Sequence, residues 1–319
     1  MIKYDFNRTD RIASVVGHNA DSLTNGTLYI PSSVEDNGIK YTVTEIADEA
    51  FADWKELKRV TIPNTVTHIG NAAFSGCEKL EEAFISNEIE VIPKNAFKGC
   101  VNLTNLTLGN KVRIIDEYAF FGCRGLRYVA IPASVTTIGN AAFLGCSSLG
   151  KTDFPPNNVS FVTQIGDRAF GDCSQLRKSA IISSVQSIGE EAFGGCEKLE
   201  EAFISNEIEV IPKGAFIGCT NLKSMTLGNK VWIIDELAFF RCSELSYVII
   251  PENVTTIGNG AFSKCNKLKR VVFLGNPPKM ASGVFGNKTQ IYYRAGTSGW
   301  TSPEWNGYKT KAIVFYRRG

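Results

Sequence analysis

The segment Phe120–Ala142 reads FFGCRGLRYVAIPASVTTIGNAA, and its pattern of apolar positions recurs along most of the chain. Val129 and Ile131 follow Leu126 with the alternation that is typical of a short strand. Pro132 ends this strand, because proline has no N–H to donate to a ladder. The unit therefore begins with a strand whose apolar residues face a core.

The second half of the unit is predicted to be an extended piece followed by a turn. Val135–Ile138 is the extended piece. Asn140 is a residue type that caps the start of a helical turn. Ala142 and Cys146 lie four residues apart, so one helical turn would point both side chains inward. We therefore expect each unit to combine short strands with a short helical turn.

Phenylalanines set the frame of the repeat. Eleven of them follow one another at spacings of 23 residues, apart from one spacing of 27 residues. Alanine precedes every one except Phe285, which follows Val284. A fixed period in the twenties is typical of a solenoid. These frame phenylalanines are Phe51, Phe74, Phe97, Phe120, Phe143, Phe170, Phe193, Phe216, Phe239, Phe262 and Phe285.

A single unit is too small to fold alone. Burying an apolar side chain contributes about 2 kcal/mol, whereas ordering one residue costs about 1 to 2 kcal/mol, and roughly one residue in three points inward. Stacked units cover each other's apolar faces and pair their strands, which is how solenoids become stable. We therefore predict an α/β solenoid of about eleven coils, β-rich with short helical turns.

The repeat also contains one insertion and one longer duplication. The single long spacing places four extra residues near Pro155–Asn158, which predicts a looped-out bulge in one coil. Glu78–Cys100 reads EKLEEAFISNEIEVIPKNAFKGC, and Glu197–Cys219 repeats it with two changes. A block of coils has therefore been duplicated whole.

Both ends are expected to carry caps, because a terminal coil would expose its core. Thr27–Pro31 and Tyr41–Val43 flank Asp36-Asn37-Gly38, which is a hairpin signal. The other end is rich in aromatic residues that suggest a closing layer of strands: Tyr292, Tyr293, Trp300, Trp305, Tyr308, Phe315 and Tyr316. The predicted divisions are an N-terminal β cap at 1–45, the solenoid at 46–290 with a bulged coil near 150–163, and an aromatic-rich C-terminal cap at 291–319.

The nine cysteines each lie three residues after a frame phenylalanine. An odd count at even spacing does not suggest a disulfide framework, and zinc ligands would come in pairs two to four residues apart. In adjacent coils the thiols would come within disulfide reach, but their Cβ vectors would run parallel rather than toward each other. We predict a column of free, buried thiols that act as small apolar residues.

Composition excludes several classes of partner. The chain has 319 residues and a formal net charge of +2, from 34 basic and 32 acidic residues. This balance does not favour a nucleic-acid partner. No apolar run approaches the roughly 18 residues that span a bilayer, so no transmembrane segment is expected. Met1–Asp10 alternates polar and apolar residues, unlike a signal peptide, so the protein is expected either to be cytoplasmic or to have lost an export signal.

Residues that could carry catalysis are few. His18 and His68 are the only histidines, and a triad or metal cluster would need partners held close to one of them. The acidic run Glu78–Glu90 could serve glycosidase chemistry, but its recurrence at Glu197–Glu209 favours a charged outer face. Walker-type and dinucleotide-binding glycine motifs do not occur. We therefore predict no enzymatic activity, no catalytic residue, no cofactor and no metal site.

The repeat resembles a known family. Val135–Cys146 (VTTIGNAAFLGC) and Val254–Cys265 (VTTIGNGAFSKC) follow a consensus that is similar to BspA-like, or Treponema-type, leucine-rich repeats. The resemblance covers most of the chain and extends to the ends IPSSV…YTVTEIADEAF and IYYRAGTSGW. It implies a right-handed leucine-rich-repeat superhelix with a parallel sheet on one face. It also implies a bacterial cell-surface or secreted protein, since the family is associated with attachment to host proteins or other cells.

The strand face is the expected interaction surface, because it is long, rigid and easily varied. Val129 and its equivalents point inward, so the positions of Tyr128 and Ala130 point outward. Aromatic and arginine side chains there are typical of interaction hot spots. Alternatively, Phe84 and Phe203 pack on a neighbouring coil, or caps bury the face. The candidate binding face comprises Arg59, Glu82, Phe84, Tyr128, Lys151, Asp153, Lys178, Glu201, Phe203, Tyr247 and Arg270.

The predicted function is that of a non-enzymatic protein-binding module, an adhesin-like protein that engages host or cell-surface macromolecules, protein or glycan, through this face. One alternative is an intracellular scaffold for protein–protein interaction. Another is a carbohydrate-active solenoid, which would need an asymmetric cluster of acids and bases that so regular a repeat does not display. The sequence leaves the partner and the oligomeric state open.

Overall fold

The structure is a computed structural model that describes residues 1–19, 23–153, 162–180 and 184–314, with the backbone alone at residues 153 and 178–180. The chain divides into two compact units, Met1–Cys173 and Ser174–Gly319. Each unit is a β-solenoid, a stack of coils in which one coil is one 23-residue repeat. The described ranges contain strands and turns and no helix.

The first unit takes two short strands from each coil, one of three residues and, further along, one of two residues. Its strands are β1 (Ile2–Asn7), β2 (Ile12–His18), β3 (Thr27–Tyr29), β4 (Ser33–Asp36), β5 (Ile39–Ile46), β6 (Arg59–Thr61), β7 (His68–Ile69), β8 (Glu82–Phe84), β9 (Val91–Ile92), β10 (Asn105–Thr107), β11 (Ile114–Ile115), β12 (Tyr128–Ala130), β13 (Thr137–Ile138), β14 (Lys151–Asp153) and β15 (Gln164–Ile165).

The second unit repeats this plan and adds longer strands toward its end. Its strands are β16 (Lys178–Ala180), β17 (Ser187–Ile188), β18 (Glu201–Phe203), β19 (Val210–Ile211), β20 (Ser224–Thr226), β21 (Ile233–Ile234), β22 (Tyr247–Ile250), β23 (Thr256–Ile257), β24 (Arg270–Phe273), β25 (Lys279–Met280), β26 (Gln290–Arg294), β27 (Glu304–Trp305) and β28 (Tyr308–Ile313).

Strands of successive coils pair in parallel and in register. In the first unit the three-residue strands run in the order β10-β8-β6-β3, with β12-β14 as a separate pair, while β9, β11, β13 and β15 form a second ladder. In the second unit the corresponding groups are β16-β18-β20, β22-β24-β26-β28-β27 and β19-β21-β23-β25. Since Val129 lies opposite Thr152, one full repeat further on, equivalent residues stack directly on one another.

The frame phenylalanines form the centre of each stack. All eleven are buried. In the first unit the rings from Phe51 to Phe170 stack in sequence, and in the second unit those from Phe193 to Phe285 do so, with 5.1 to 5.4 Å between successive ring centroids. Offset stacking at this distance contributes beyond simple burial. The column predicted from the spacing is therefore confirmed within each unit.

The segment around each frame phenylalanine differs from the predicted helical turn. Tyr118 and Gly122, two residues before and after Phe120, have φ angles of 56° and 70°, and the same pair of positive φ angles recurs in the ten coils from Phe51 to Phe262. A right-handed helix needs negative φ at every residue, so these residues form turns instead. The Phe120 N–H is thereby free to donate to the Ala142 carbonyl of the next coil, at 2.8 Å.

Asn140 also links coils rather than capping its own turn. Its Oδ1 accepts a hydrogen bond from the Asp167 N–H in the following coil at 2.8 Å. Asn87 does the same for the Asn110 N–H at 3.0 Å. Polar side chains at these exposed coil corners thus satisfy backbone N–H groups of the following coil.

The thiols form the predicted column. All nine cysteines are buried, and none of them forms a disulfide. The Cys123 thiol donates to the carbonyl oxygen of Phe97 at 3.2 Å, and the Cys100 thiol donates to that of Phe74 at 3.2 Å. Burial raises the pKa of the Cys146 thiol to about 12. The Cys146 thiol is therefore neutral, and the thiol hydrogen bonds of Cys100 and Cys123 tie each of their coils to the one before it.

The start of the chain differs in part from the expected hairpin. Asn37 and Gly38, with φ angles of 50° and 74°, form the turn of a hairpin between β4 and β5. Such left-handed pairs fit the twist of antiparallel strands. Thr27–Tyr29 was expected to belong to this hairpin, but it pairs in parallel with Arg59–Thr61 instead. It therefore forms the first strand of the solenoid sheet.

Aromatic side chains cover the first ring of the column in the first unit and the last ring of the column in the second unit. In the first unit Trp54 stacks on Phe51, and the His18 imidazole stacks on Trp54 with 3.7 Å between ring centroids. In the second unit Tyr308 meets Phe285 edge-on at 5.5 Å, and its hydroxyl donates to the Phe285 carbonyl at 3.1 Å. Both contacts shield a terminal apolar ring from water.

Two expected features lie outside the described residues. The predicted bulge at Pro155–Asn158 is one, and Phe315 and Tyr316 of the aromatic C-terminal segment are the other. The repeat resumes after the first gap, since Phe143 and Phe170 stack at 5.3 Å and β13 pairs with β15.

Candidate binding face

The outward side chains of the three-residue strands and their longer equivalents define the strand face. Four aromatic side chains on this face are exposed, where the alternation of the strands predicts them. The exposed fractions are 43% for Phe84, 44% for Tyr128, 64% for Phe203 and 47% for Tyr247. Neither Phe84 nor Phe203 is buried against a neighbouring coil, so large apolar surface faces solvent within each unit.

Charged residues of the candidate face surround these rings. The Arg59 guanidinium donates from Nε to Oε2 of Glu82 at 3.1 Å. The Lys151 ammonium lies 5.9 Å from the centroid of the Tyr128 ring, which is a favourable cation–π distance. Glu201 is exposed, and the Arg270 guanidinium lies 5.1 Å from the centroid of the Tyr292 ring.

Two predicted members of the face cannot be placed in full. Asp153 lies in β14 and Lys178 lies in β16, but their side chains are outside the part of the chain that the structure describes.

Tyr29 is a further member of the strand face, which we did not expect from the sequence. Its side chain is 68% exposed, and it lies next to Thr61 in the parallel ladder of β3 and β6. The segment Thr27–Pro31 reads TLYIP, which has the same form as YVAIP at Tyr128–Pro132. That likeness was the available signal.

Val272 was expected to point outward, but it is 7% exposed. It lies between Ile249 and Tyr292 in the ladders of β22, β24 and β26. Large neighbours on the same face of a sheet cover a residue placed between them. The exposed aliphatic residue in this row is Ile249.

The strand face of the first unit contains a groove of about 710 Å³. Phe84 and Tyr128, which we call its walls, line it from the two flanking strands, and the short side chains of Asn105 and Thr107 line it from the strand between them. The walls belong to β8 and β12, two coils apart, which corresponds to about 10 Å at the spacing of neighbouring strands. We call this the first groove; it comprises Glu82, Phe84, Asn105, Thr107, Arg127 and Tyr128.

The first groove lies over a seam in the sheet, that is, a place where two neighbouring strands do not pair. The ladder that begins at β3 ends at β10, and β12 pairs only onward, with β14, although both strands lie within the described range 23–153. The second unit has the same arrangement, because its ladder ends at β20 and a new one starts at β22. The equivalent positions therefore share a local break in strand pairing.

The duplicated block places a second set of groove residues in the second unit. Residues 78–146 correspond to residues 197–265 at an offset of 119 positions. Phe203 and Tyr247 thus take the places of Phe84 and Tyr128, and both are exposed. We call this set the second groove, after the groove that the equivalent positions line in the first unit; it comprises Glu201, Phe203, Ser224, Thr226, Ser246 and Tyr247.

The face formed by the two-residue strands is polar and ion-paired. The Lys111 ammonium lies 2.6 Å from Oε2 of Glu88, and the Lys230 ammonium lies 2.7 Å from Oε2 of Glu207. His68 is exposed here and shares a 2.9 Å hydrogen bond with the Thr67 hydroxyl. Exposed pairs of this kind contribute little to stability individually. The duplicated acidic runs are therefore part of a charged surface.

The described residues contain no cluster of three or more His, Cys, Asp or Glu side chains that could hold a metal ion. Nor do the described residues include a helix of the length and apolarity needed to cross a bilayer.

Comparison with known proteins gives a consistent result. The family described as BspA type Leucine rich repeat region matches residues 23–150 and 163–292, in six copies. A leucine rich cell surface protein from Faecalibacterium prausnitzii A2-165 is 26% identical, with 92% of this chain and 93% of that chain covered and a TM-score of 0.56. The pneumococcal vaccine antigen PcpA is 21% identical, with 99% and 97% covered and a TM-score of 0.56. No protein of curated function matches the sequence.

Proposed function

Because this chain belongs to the BspA-type leucine-rich repeat family, we propose that it is a non-enzymatic binding module that engages other macromolecules through its strand face. Repeat folds of this kind present long, rigid surfaces whose exposed residues vary without disturbing the core. The observation that carries the proposal is the exposure of Phe84, Tyr128, Phe203 and Tyr247 on that face.

The energetic argument rests on what exposed aromatic rings do at interfaces. An aromatic side chain contributes a large contact area at low entropic cost, and such residues dominate binding energy in many interfaces. A folded protein gains nothing from leaving these rings in water, and a patch of apolar side chains in solvent usually marks a contact site. The flanking charges, such as Arg59 and Lys151, would form the polar rim of the interface.

We place the protein at the bacterial cell surface or outside the cell. The support is the similarity to the cell surface protein of Faecalibacterium prausnitzii, which is 26% identical over 92% of this chain. In this proposal the strand face acts as an adhesin-like surface toward host or cell-surface molecules. The binding face includes Asp153 and Lys178 by their positions in β14 and β16.

Three finer points of the fold belong to the same proposal. The coils wind in a right-handed sense, as crossover connections between parallel strands almost always do. Residues 1–45 and 291–319 act as caps, and a bulge near 150–163 interrupts one coil.

Binding of surface proteins by the purified chain tests the proposal. The full chain is immobilised and exposed to solubilised host-cell surface proteins and to extracellular matrix proteins. We expect capture of defined partners, and we expect the Phe84→Ala/Tyr128→Ala variant to weaken it. Trp232→Ala is the matched control, because Trp232 is also 43% exposed but lies outside the strand face. Equal capture by both variants would contradict the proposal.

A further inference from the structure

We propose that the first and second grooves are two copies of one glycan-binding site, each of which takes neutral sugar units. This inference rests on the proposed function, because it specifies the ligand of the same strand face. The inference depends on which exposed residues are the same in the two copies and which have been replaced.

The exposed residues of the duplicated block have diverged unevenly. Arg127 has become Ser246, and Ala130 has become Ile249, yet Tyr128 between them is retained as Tyr247. In β10 the outward Asn105 differs from its counterpart Ser224 in β20, yet Thr107 is retained as Thr226. The shared set is therefore two aromatic rings, a threonine hydroxyl and the carboxylate of Glu82 or Glu201.

Charge argues for a neutral ligand. A site for an anionic group is normally built around arginine or lysine, but the second groove has Ser246 where the first has Arg127. Both grooves also present a carboxylate, which would repel an anion. In the first groove Glu82 already has a cationic partner in Arg59, at 3.1 Å, so a cationic ligand gains little there. A ligand common to both grooves thus carries no net charge.

Hydrogen-bond chemistry separates a sugar from an apolar peptide. The shared polar groups are one carboxylate, which only accepts, and two hydroxyls, which donate and accept. Glu82 accepts from Arg59 at 3.1 Å and from Asn105 at 3.4 Å, and a carboxylate has about four acceptor sites. Proline-rich peptides also suit aromatic grooves, but proline has no N–H to donate. Sugar hydroxyls supply the donors.

The aromatic walls of the groove suit the apolar C–H groups of a sugar. A pyranose ring presents apolar C–H groups on its faces. These groups pack on the faces of aromatic rings such as Phe84 and Tyr128, because the negative face of the ring attracts the slightly positive C–H hydrogens. The first groove, at about 710 Å³, lies within the usual range of ligand sites. Aromatic walls with hydroxyl, amide and carboxylate groups between them therefore match an uncharged oligosaccharide.

The first experiment identifies the ligand class. The full chain is applied to a glycan array that carries neutral hexose and N-acetylhexosamine oligosaccharides beside sialylated and sulfated ones. We expect binding to neutral oligosaccharides and loss of it, by about tenfold or more, in the Phe84→Ala/Phe203→Ala variant. Trp232→Ala should bind like the unaltered chain. Binding confined to the anionic glycans, or absent from all neutral ones, overturns the proposal.

The second experiment counts the sites. The best neutral oligosaccharide from the array is titrated calorimetrically into the unaltered chain and into each single variant, with thermal melting to verify the fold. Two sites per chain are expected, falling to one in Phe84→Ala and to one in Phe203→Ala. A stoichiometry that neither variant changes overturns the proposal.

A third measurement separates this inference from the proposed function. Captured surface proteins are treated with glycosidases and tested again. Loss of capture supports glycan recognition. Capture that survives deglycosylation but still depends on the strand face overturns the glycan proposal and leaves the binding function standing. Capture that strand-face substitutions do not weaken contradicts both the glycan proposal and the proposed binding function.

Discussion

The Cys146 thiol lies 3.2 Å from the carbonyl oxygen of Phe120, the frame phenylalanine of the preceding coil, and donates a hydrogen bond to it. The same carbonyl also accepts the N–H of Cys123 within its own coil at 3.2 Å. The Phe120 carbonyl thus accepts one hydrogen bond from the turn of its own coil and one from the thiol of the next coil. This arrangement explains why a small side chain with a weak donor recurs at that site.

Replacement of Cys146 by alanine should lower the free energy of unfolding by about 1 to 2 kcal/mol. The variant removes one of the two donors to the Phe120 carbonyl and leaves a small cavity. Cys146→Ser keeps a donor of nearly the same size and should cost less. Chemical denaturation of the three proteins measures the difference. Equal stability of the alanine variant and the unaltered protein would show that the thiol bond is immaterial.

The thiols should react only when the protein unfolds. All nine thiols are buried and out of reach of a reagent, and burial raises the pKa of Cys146 to about 12, so at pH 8 almost none of that thiol is the reactive thiolate. Mass spectrometry after iodoacetamide treatment should find native protein unlabelled over hours. Denatured, non-reduced protein should carry nine labels, since none of the nine cysteines forms a disulfide. Two or fewer labels after denaturation would mean that the thiols are cross-linked.

Acid should destabilise the N-terminal end of the stack through His18. Burial lowers the pKa of His18 from its usual 6.5, an effect that the hydrogen bond to the Ala50 carbonyl opposes and that nearby Lys3 reinforces. A lowered folded-state pKa means that the unfolded chain binds the proton more readily. Stability is therefore complete above about pH 6.5 and falls as the pH drops toward the folded-state value.

His18→Phe is the matched variant for this effect, because it keeps a ring on Trp54 and removes the titrating group. Thermal melting between pH 7.5 and pH 5 should show a steeper loss for the unaltered protein than for the variant. Identical pH profiles would assign the acid sensitivity to other groups.

Asn95→Gly should be neutral or stabilising by about 1 kcal/mol. Asn95 has a φ of 58°, and its Oδ1 is buried without a hydrogen-bond partner among the residues that the structure describes. Removing an unsatisfied polar atom gains about 1 to 3 kcal/mol, which exceeds the about 0.5 to 1 kcal/mol that glycine loses through a more flexible unfolded chain. The second unit already has Gly214 at this position, with a φ of 60°. A clear loss in denaturation midpoint would contradict this account.

Truncation on the strand face should leave the fold intact. Phe84 is 43% exposed, so Phe84→Ala is expected to change the free energy of unfolding by no more than about 0.5 kcal/mol. Val129 is fully buried, and Val129→Ala should cost about 1 to 3 kcal/mol. Calorimetric melting compares the two. A large loss in the Phe84 variant would identify that ring as part of the core.

The repeat could be predicted because each coil must present the same side chain to the same place. Phe120, Cys123 and Leu126 each lie in a column whose shape is fixed by the coils on either side, so their spacing records the stacking directly. The exposure of Tyr128 followed from the same alternation. These features depend on burial, which the order of apolar and polar residues reports.

Turn geometry was harder to predict, because the positive φ at Tyr118 and Leu237 is imposed by coil-to-coil hydrogen bonds and not by residue type. Similarly, Asn105–Thr107 fits a strand pattern whether or not it pairs with β12, so the seam beneath the first groove was not apparent. The role of Tyr29 was missed for the opposite reason, since its strand lies before the regular frame begins.

The hydrogen bonds from each frame turn reach only the adjacent coil, as from Phe120 to Ala142. A stack held in this way and pulled by its ends yields one layer at a time within a unit. Every 23-residue coil that lets go releases about 80 Å of extended chain. Force–extension traces should therefore be saw-toothed with that increment. Such a molecule absorbs mechanical load by unfolding one coil after another while the remaining coils stay folded.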